Sequence, residues 1–250
     1  MNDIAVAAKD LAKNYYDASG QTVHACQALS FEARRGEVFG LLGTNGAGKT
    51  TALRMLSTVL RPTGGDAHVV GHSIVHEPDR VRSTIGFLSA DTGVYGRLTA
   101  REMIEYFGRL HGLTESVIAT RVQQISDRLN MQDFLSRRCD KLSSGQKQRV
   151  SIARTIVHDP EVLIFDEPTS GLDILAAAQI VEFIRDSRAR GRCVIFSTHV
   201  MREAEKLCDR LVILHRGQVC ASGTLTELRE QTGYQDLEDV FLRAIGELPS

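Results

Sequence analysis

A chain of 250 residues, 42% hydrophobic and 24% charged with 5 prolines, suffices for one large domain or two small ones and buries roughly three-quarters of its unfolded surface, which excludes a disordered or fibrous protein. Thirty Lys+Arg against 31 Asp+Glu leave a formal charge of -1, so there is no excess positive field to make nucleic acid the expected main ligand. The five cysteines, Cys26, Cys139, Cys193, Cys208 and Cys220, are odd in number and form no C-x-x-C pair, which argues against a zinc site or a disulfide framework and for a reducing cytosol.

In chain order, the opening segment is charged throughout and lacks the apolar core of a secretory signal, and no apolar run approaches the ~18 residues of a membrane span. If the protein acts at a membrane, another chain is expected to supply the spanning helices. Short apolar runs without strict alternation, as expected for strands buried on both faces, fall at 4–8, 38–42, 67–70, 85–88, 162–165, 194–196 and 211–214. Helical patterns lie between several of them, at 49–60, 174–188 and 200–207, so the chain reads as an α/β domain with a largely parallel sheet. From about 99 to 158 the periodicity is helical throughout, with turn signals at His111-Gly112-Leu113 and Asn130-Met131, which predicts a helical subdomain inserted into the core. The end reads as short helices over 225–232 and 237–245, with Gly233 as the stop signal between them. No repeat of 20 to 50 residues and no low-complexity linker divides the chain.

The sharpest motif is Gly43-Thr44-Asn45-Gly46-Ala47-Gly48-Lys49-Thr50, a full G-x-x-x-x-G-K-[ST] pattern that follows one expected strand and opens an expected helix, with Thr51 beside it. Glycines let consecutive N–H groups turn inward onto phosphate oxygens, and the helix start adds the positive end of its dipole. Lys49 is expected to reach the β- and γ-phosphates and the Thr50 hydroxyl to ligate Mg²⁺. Farther on, Val162-Leu163-Ile164-Phe165 ends in Asp166-Glu167, at the C-terminal edge of a buried strand where ligands collect in parallel sheets. Asp166 is the expected metal ligand, directly or through water, and Glu167 the group that orients and polarises the attacking water. An adjacent acid pair on its own is more often a solvated helix start; the phosphate loop upstream reverses that balance.

Leu142-Ser143-Ser144-Gly145-Gln146 resembles the L-S-G-G-Q signature of ATP-binding-cassette proteins. The resemblance continues in order through Asp166-Glu167, then Ser170-Gly171-Leu172-Asp173, like the family's D-loop, and Ser197-Thr198-His199, like its switch histidine; it covers about residues 4 to 225. It implies a P-loop NTPase core with a mostly parallel central sheet, an N-terminal antiparallel β portion and the inserted helices. The expected organisation is one nucleotide-binding domain over 1–250, with a core at about 1–90 and 159–224, a helical subdomain at about 91–158 and a short helical tail at 225–250. It further implies an ATPase with ATP and Mg²⁺ as cofactors. Two copies would sandwich two ATP molecules head to tail, with Ser143, Ser144, Gly145 and Gln146 of one meeting the γ-phosphate held by the other. A separate transmembrane permease would be the other partner, with no nucleic acid, and the chain would be cytoplasmic and peripheral on the inner face of the membrane. His199 is expected to contact the γ-phosphate, and Tyr15 to stack on adenine, with the adjacent Tyr16 as the alternative ring.

Two positions depart from the family pattern. Ala90 falls where a glutamine is usual, so that Ser89 or Asp91 stands in for it or the metal is held by Thr50, Asp166 and water alone. Ser144 replaces a second glycine, which a helix start tolerates. The loop at Ala90 and the tail Leu237-Glu238-Asp239-Val240-Phe241 resemble bacterial export-type subunits, for which sodium, drug or lipid-linked cargo are candidates. The competing readings are a non-transport cassette ATPase acting on nucleic acid or ribosomes, and a plain P-loop kinase or GTPase, which would leave Ser143 to Gln146 and His199 without a role.

Overall fold

The computed structural model describes residues 3–16, 19–90 and 93–248. Among these, ten strands and nine α-helices follow one another as β1 (Ile4–Tyr16), β2 (Thr22–Arg34), β3 (Val38–Leu42), α1 (Lys49–Leu56), β4 (Gly64–Val69), β5 (His72–Ser73), α2 (Pro78–Thr84), β6 (Ile85–Leu88), α3 (Ala100–Leu110), α4 (Glu115–Arg128), α5 (Ser144–Ile156), β7 (Val162–Asp166), α6 (Ile174–Ala189), β8 (Cys193–Thr198), α7 (Met201–Leu207), β9 (Arg210–His215), β10 (Gln218–Gly223), α8 (Leu225–Thr232) and α9 (Leu237–Ala244).

Two sheets result. An antiparallel one runs β2-β1-β4-β5, and a six-stranded one runs β10-β9-β3-β8-β7-β6, parallel from β9 to β6 with β10 added antiparallel at one edge. This is the α/β class expected, with its antiparallel N-terminal portion. β3, β7 and β8 are buried at every residue because both faces of the central sheet are covered, which is why they read as unbroken apolar runs. One face packs on α6 and the inserted helices through Phe165, Phe196, Ile152 and Met103. The other packs on α1 and the antiparallel sheet through Leu41, Ile164, Leu53 and Leu29. The C-terminal helices are no loose tail: Leu237, Val240 and Phe241 pack with Leu42, Leu211 and Ile213 in a third apolar cluster.

Some boundaries differ from the sequence expectations. β1 runs on to Tyr16, although charged and polar side chains interrupt its apolar pattern; register shifts and the left-handed Asp10 (φ 50) accommodate them. The next strand, β2, was not among the expected runs; its second half alternates buried Leu29, Phe31 and Ala33 with exposed Ser30, Glu32 and Arg34, a half-buried strand of period two. α1 stops at Leu56, short of the expected end at Leu60, because Thr58 turns left-handed (φ 61). The C-terminal pair closely matches expectation, with Gly233 in the left-handed conformation (φ 80) just past α8.

The insert is tied to the core by charge as well as by packing. Asp159, after α5, takes Arg121 from α4 (2.5 Å) and Arg192 from before β8; Asp186 of α6 takes Arg128 from α4 (2.7 Å) and Arg190 (2.9 Å). Burial alone would raise both carboxyls, but the paired arginines outweigh it and hold them below the usual carboxylate range.

Candidate phosphate-binding and hydrolytic site

β3, buried along its whole length, aims the glycine loop out of the C-terminal edge of the sheet. Within the loop the Ala47 amide donates to the Thr44 carbonyl (3.2 Å), and Gly48 takes up φ 104 as α1 begins. A side chain on Gly48 would put its Cβ 2.4 Å from the Ala25 carbonyl oxygen, so only glycine fits both the conformation and the space. Ala25 is there because β2 bulges: Lys13 pairs with Cys26 and Asn14 with His24, leaving Ala25 without a cross-strand partner against the loop. From the other side the β9–β10 turn supports it, the Gly217 amide donating to Ala47 O (3.0 Å). Beneath lies Cys26, whose thiol is pushed up to about 12 by burial and donates to the Gly48 carbonyl (3.6 Å). No side chain caps α1, so its leading N–H groups are left as donors an anion can use.

Residues 44–51 line a cavity of about 170 Å³ together with Ala25 and Glu167. Lys49, 5% exposed, folds back over the loop and donates to Gly43 O (2.7 Å) and Thr44 O (3.1 Å). Its Nζ is 3.5 Å from Glu167 Oε1, and His199 Nδ1 is 3.2 Å from the same oxygen. The three side chains singled out for catalysis from distant parts of the sequence therefore meet at one carboxylate. Glu167 sits at φ 47, a costly conformation for a non-glycine residue, pinned by its amide donating to Ser197 Oγ (3.0 Å) and its carbonyl accepting from Ser170 N (3.1 Å).

Asp166 is 1% exposed. Its Oδ1 accepts from Ser197 Oγ (2.6 Å) and Thr50 Oγ1 (3.2 Å), while Oδ2 is buried without a hydrogen-bond partner. An orphaned, buried carboxylate oxygen beside a threonine hydroxyl fits a hard divalent cation. The hydroxyls on Asp166 are those of Thr50 and Ser197, and Ser89 is not among them; Asp91, the other stand-in, lies outside the described residues. Ala90 is exposed, two residues past the end of β6.

The signature begins α5. Ser143 is its N-cap, with Gln146 N donating to Ser143 Oγ (3.2 Å) and Ser143 N to Gln146 Oε1 (3.0 Å). Ser144 follows as the first helical residue, and Gly145 is small enough to pass α6, where a Cβ would come 2.7 Å from that of Ala176. Ser143 and Ser144 are exposed and do not line the loop cavity of their own chain. Tyr15 is 39% exposed beside the Lys13 ammonium, 5.4 Å from the ring centre, and pairs across the sheet with Val23, two residues before Ala25; Tyr16 is 78% exposed and pairs with Thr22, one step farther away.

Other contacts at the site were not singled out from sequence. Ser197 joins both acids, although it stood inside a quoted motif. Glu203 accepts from Thr198 Oγ1 (2.8 Å) and Thr169 Oγ1 (2.5 Å), linking the segment before His199 to the one after Glu167. Gln148 Nε2 donates to Pro168 O (2.6 Å), tying the signature helix to that same segment. Phe241 of α9 shares a cavity of about 230 Å³ with Gly43, Thr44, Asn45 and His199. Nothing local in the sequence marks these pairings.

Comparison with known proteins follows the same lines. The family model described as ABC transporter matches residues 26–170. The ABC transporter ATP-binding protein NatA of Bacillus subtilis (strain 168) is 40% identical over 93% of this chain and 95% of its own length. The daunorubicin resistance ATP-binding protein DrrA3 of Streptomyces coeruleorubidus is 37% identical over 99% of this chain and 77% of its own. Among solved structures, an ATP-binding subunit of an ABC transporter matches at TM-score 0.85 and 30% identity, covering 96% of this chain and 99% of that one. A dimeric ATP-binding cassette in a post-hydrolysis state, bound to ADP and Pi, shares the fold at TM-score 0.79 and 24% identity, covering 88% of this chain and 98% of that one.

Proposed function

The chain belongs to the ABC transporter family as an ATP-binding, ATP-hydrolysing subunit, and from that premise we propose that two copies close head to tail on two ATP molecules and drive a separate membrane-spanning permease that exports its substrate. The observation that carries the hydrolytic part is the placement of Glu167 Oε1 between Lys49 Nζ and His199 Nδ1 at the mouth of the glycine loop. In this reading the backbone of 43–48 and the Thr51 end of the loop cradle the phosphates, and Lys49 swings from its loop carbonyls to the β- and γ-phosphates. Glu167 accepts a proton from the attacking water, and His199 holds the γ-phosphate. Tyr15 stacks on adenine. Mg²⁺, held by Asp166 Oδ2 and Thr50 Oγ1, would neutralise charge developing on the phosphates.

Support for the second copy comes from the tip of α5. A helix start with exposed serines packs its Gly145 against Ala176 of α6, whose first residues Ile174 and Leu175 are 87% and 78% exposed. Bare apolar side chains beside a polar anion-receiving tip are what a partner surface covers. Among the described residues no helix is long and apolar enough to cross a membrane, in keeping with a permease on another chain and a place at the inner membrane face. The names of the relatives in drug resistance and transport support the export reading over a cassette that works on nucleic acid.

The test is Glu167→Gln. It should keep ATP binding, lose about 10³-fold in turnover, in the range of a removed general base, and accumulate as an ATP-bound dimer in size exclusion. Ordinary turnover removes Glu167 from its role; an ATP-loaded variant that stays monomeric removes the sandwich.

A further inference from the structure

An opening larger than the one at the glycine loop lies away from it. A cleft of about 500 Å³ lies on the seam between the helical insert and the core, bounded by Arg121 and Arg128 of α4 and by Arg190 and Arg192 before β8. Ile125, Ile156, Leu163 and Phe183 reach its floor with little surface, each at most 6% exposed, and the Arg128 guanidinium lies over the Phe183 ring (5.1 Å). The volume suits a small molecule, and the lining is mostly polar, led by guanidinium groups, with a narrow apolar strip beneath them.

Charge decides which molecule. Four guanidinium groups face two carboxylates, Asp159 and Asp186, which leaves two positive charges in excess. The carboxylate oxygens are already used: Asp186 takes Arg128 Nε and Nη2 together with Arg190 Nε, and Asp159 takes one Nη from each of Arg121 and Arg192. Arg190 thus offers only its Nε to Asp186, and Arg121 only one Nη to Asp159, so both keep donors for another acceptor. The inner pair is poorly hydrated, with side-chain exposures of 21% for Arg128 and 19% for Arg192. Burial, and then the charges of Arg190 and Arg192, oppose the charged form of Arg128 more than Asp186 favours it. A dianion with a compact organic body answers each of these features, and planar guanidinium forks match phosphate oxygens in pairs.

We propose that this cleft binds a small phosphorylated metabolite, its phosphate on the arginines and its organic part on the floor formed by Ile125, Ile156, Leu163 and Phe183. The site is separate from the ATP site, and it spans both pieces of the domain.

The probe is phenyl phosphate, with inorganic phosphate beside it, titrated by calorimetry into the full chain saturated with ADP and Mg²⁺. Phenyl phosphate should bind once per chain with Kd of about 1 mM or tighter, and more tightly than inorganic phosphate. Arg128→Gln and Arg190→Gln should each weaken it at least about tenfold, a loss of 1.4 kcal/mol by the standard conversion, whereas Lys49→Ala should leave it unchanged. Arg190, at the exposed rim, keeps the test alive where Arg128→Gln fails to fold, its folding checked by a single cooperative melting transition. No binding, equal affinity for the two probes, indifference to Arg190→Gln, or loss with Lys49→Ala each overturns the proposal, the last by placing the probe in the glycine loop.

Discussion

The glycine loop and the Ser143 tip are both helix starts, at α1 and α5, and they are finished in opposite ways. The loop is wedged between the β2 bulge and the β9–β10 turn, its lysine is buried on its own carbonyls, and its helix has no side-chain cap. The tip is exposed and pairs its Ser143 and Gln146 amides through a capping box, with the bare apolar start of α6 on the helix that Gly145 packs against. The start of α1 is left open toward the loop cavity, whereas that of α5 is capped and exposed. On the proposed reading, a single chain holds a nearly complete phosphate site and only half of a hydrolytic one.

Lys49→Ala strikes the self-contained half and should have the largest effect on the isolated chain. It deletes charge-assisted bonds worth about 1.5–3 kcal/mol, so ATP affinity should fall roughly tenfold to hundredfold by calorimetry. An unchanged affinity would mean that the lysine never leaves Gly43 and Thr44. Ser143→Ala sharpens the other half: it should cost about 1 kcal/mol of stability as a lost cap and slow turnover about tenfold, yet leave ATP affinity of the single chain untouched. Should affinity fall with it, the tip belongs to the loop of its own chain and the contrast fails.

Ala90→Gln asks whether the glutamine of related sequences is needed where Ser197 and Thr50 already hold Asp166. Turnover should change by less than about a hundredfold, that is by under about 2.7 kcal/mol in the barrier. A larger gain would show that the loop after β6 limits the chemistry. The smallest effect concerns the join between the two halves. Asp159 and Asp186 have folded-state values below the usual range, so the stability they contribute is present above the unfolded value of about 4 and is lost as pH falls through the folded values. Melting curves should therefore drop more steeply below about pH 4 for the native chain than for Asp186→Asn. Parallel curves would mean that these straps do not hold the insert that carries the tip.

What the amino-acid sequence determined by itself was local or strictly ordered. The glycine spacing called for a loop that turns its N–H groups inward, the apolar runs called for strands buried on both faces, and the order of the motifs carried the family. Glycine needs, caps and apolar periods are written within a few residues of where they act, so Gly233, Ser143 and the strand ending in Asp166 were legible. Only tertiary structure decided that Glu167 lies between Lys49 and His199, that Ser197 holds both acids, that Ala25 bulges against the loop, and that four arginines from α4 and from the approach to β8 converge on two aspartates. Such contacts join residues tens to hundreds of positions apart, and a side chain's partner across that distance depends on how every intervening element packs.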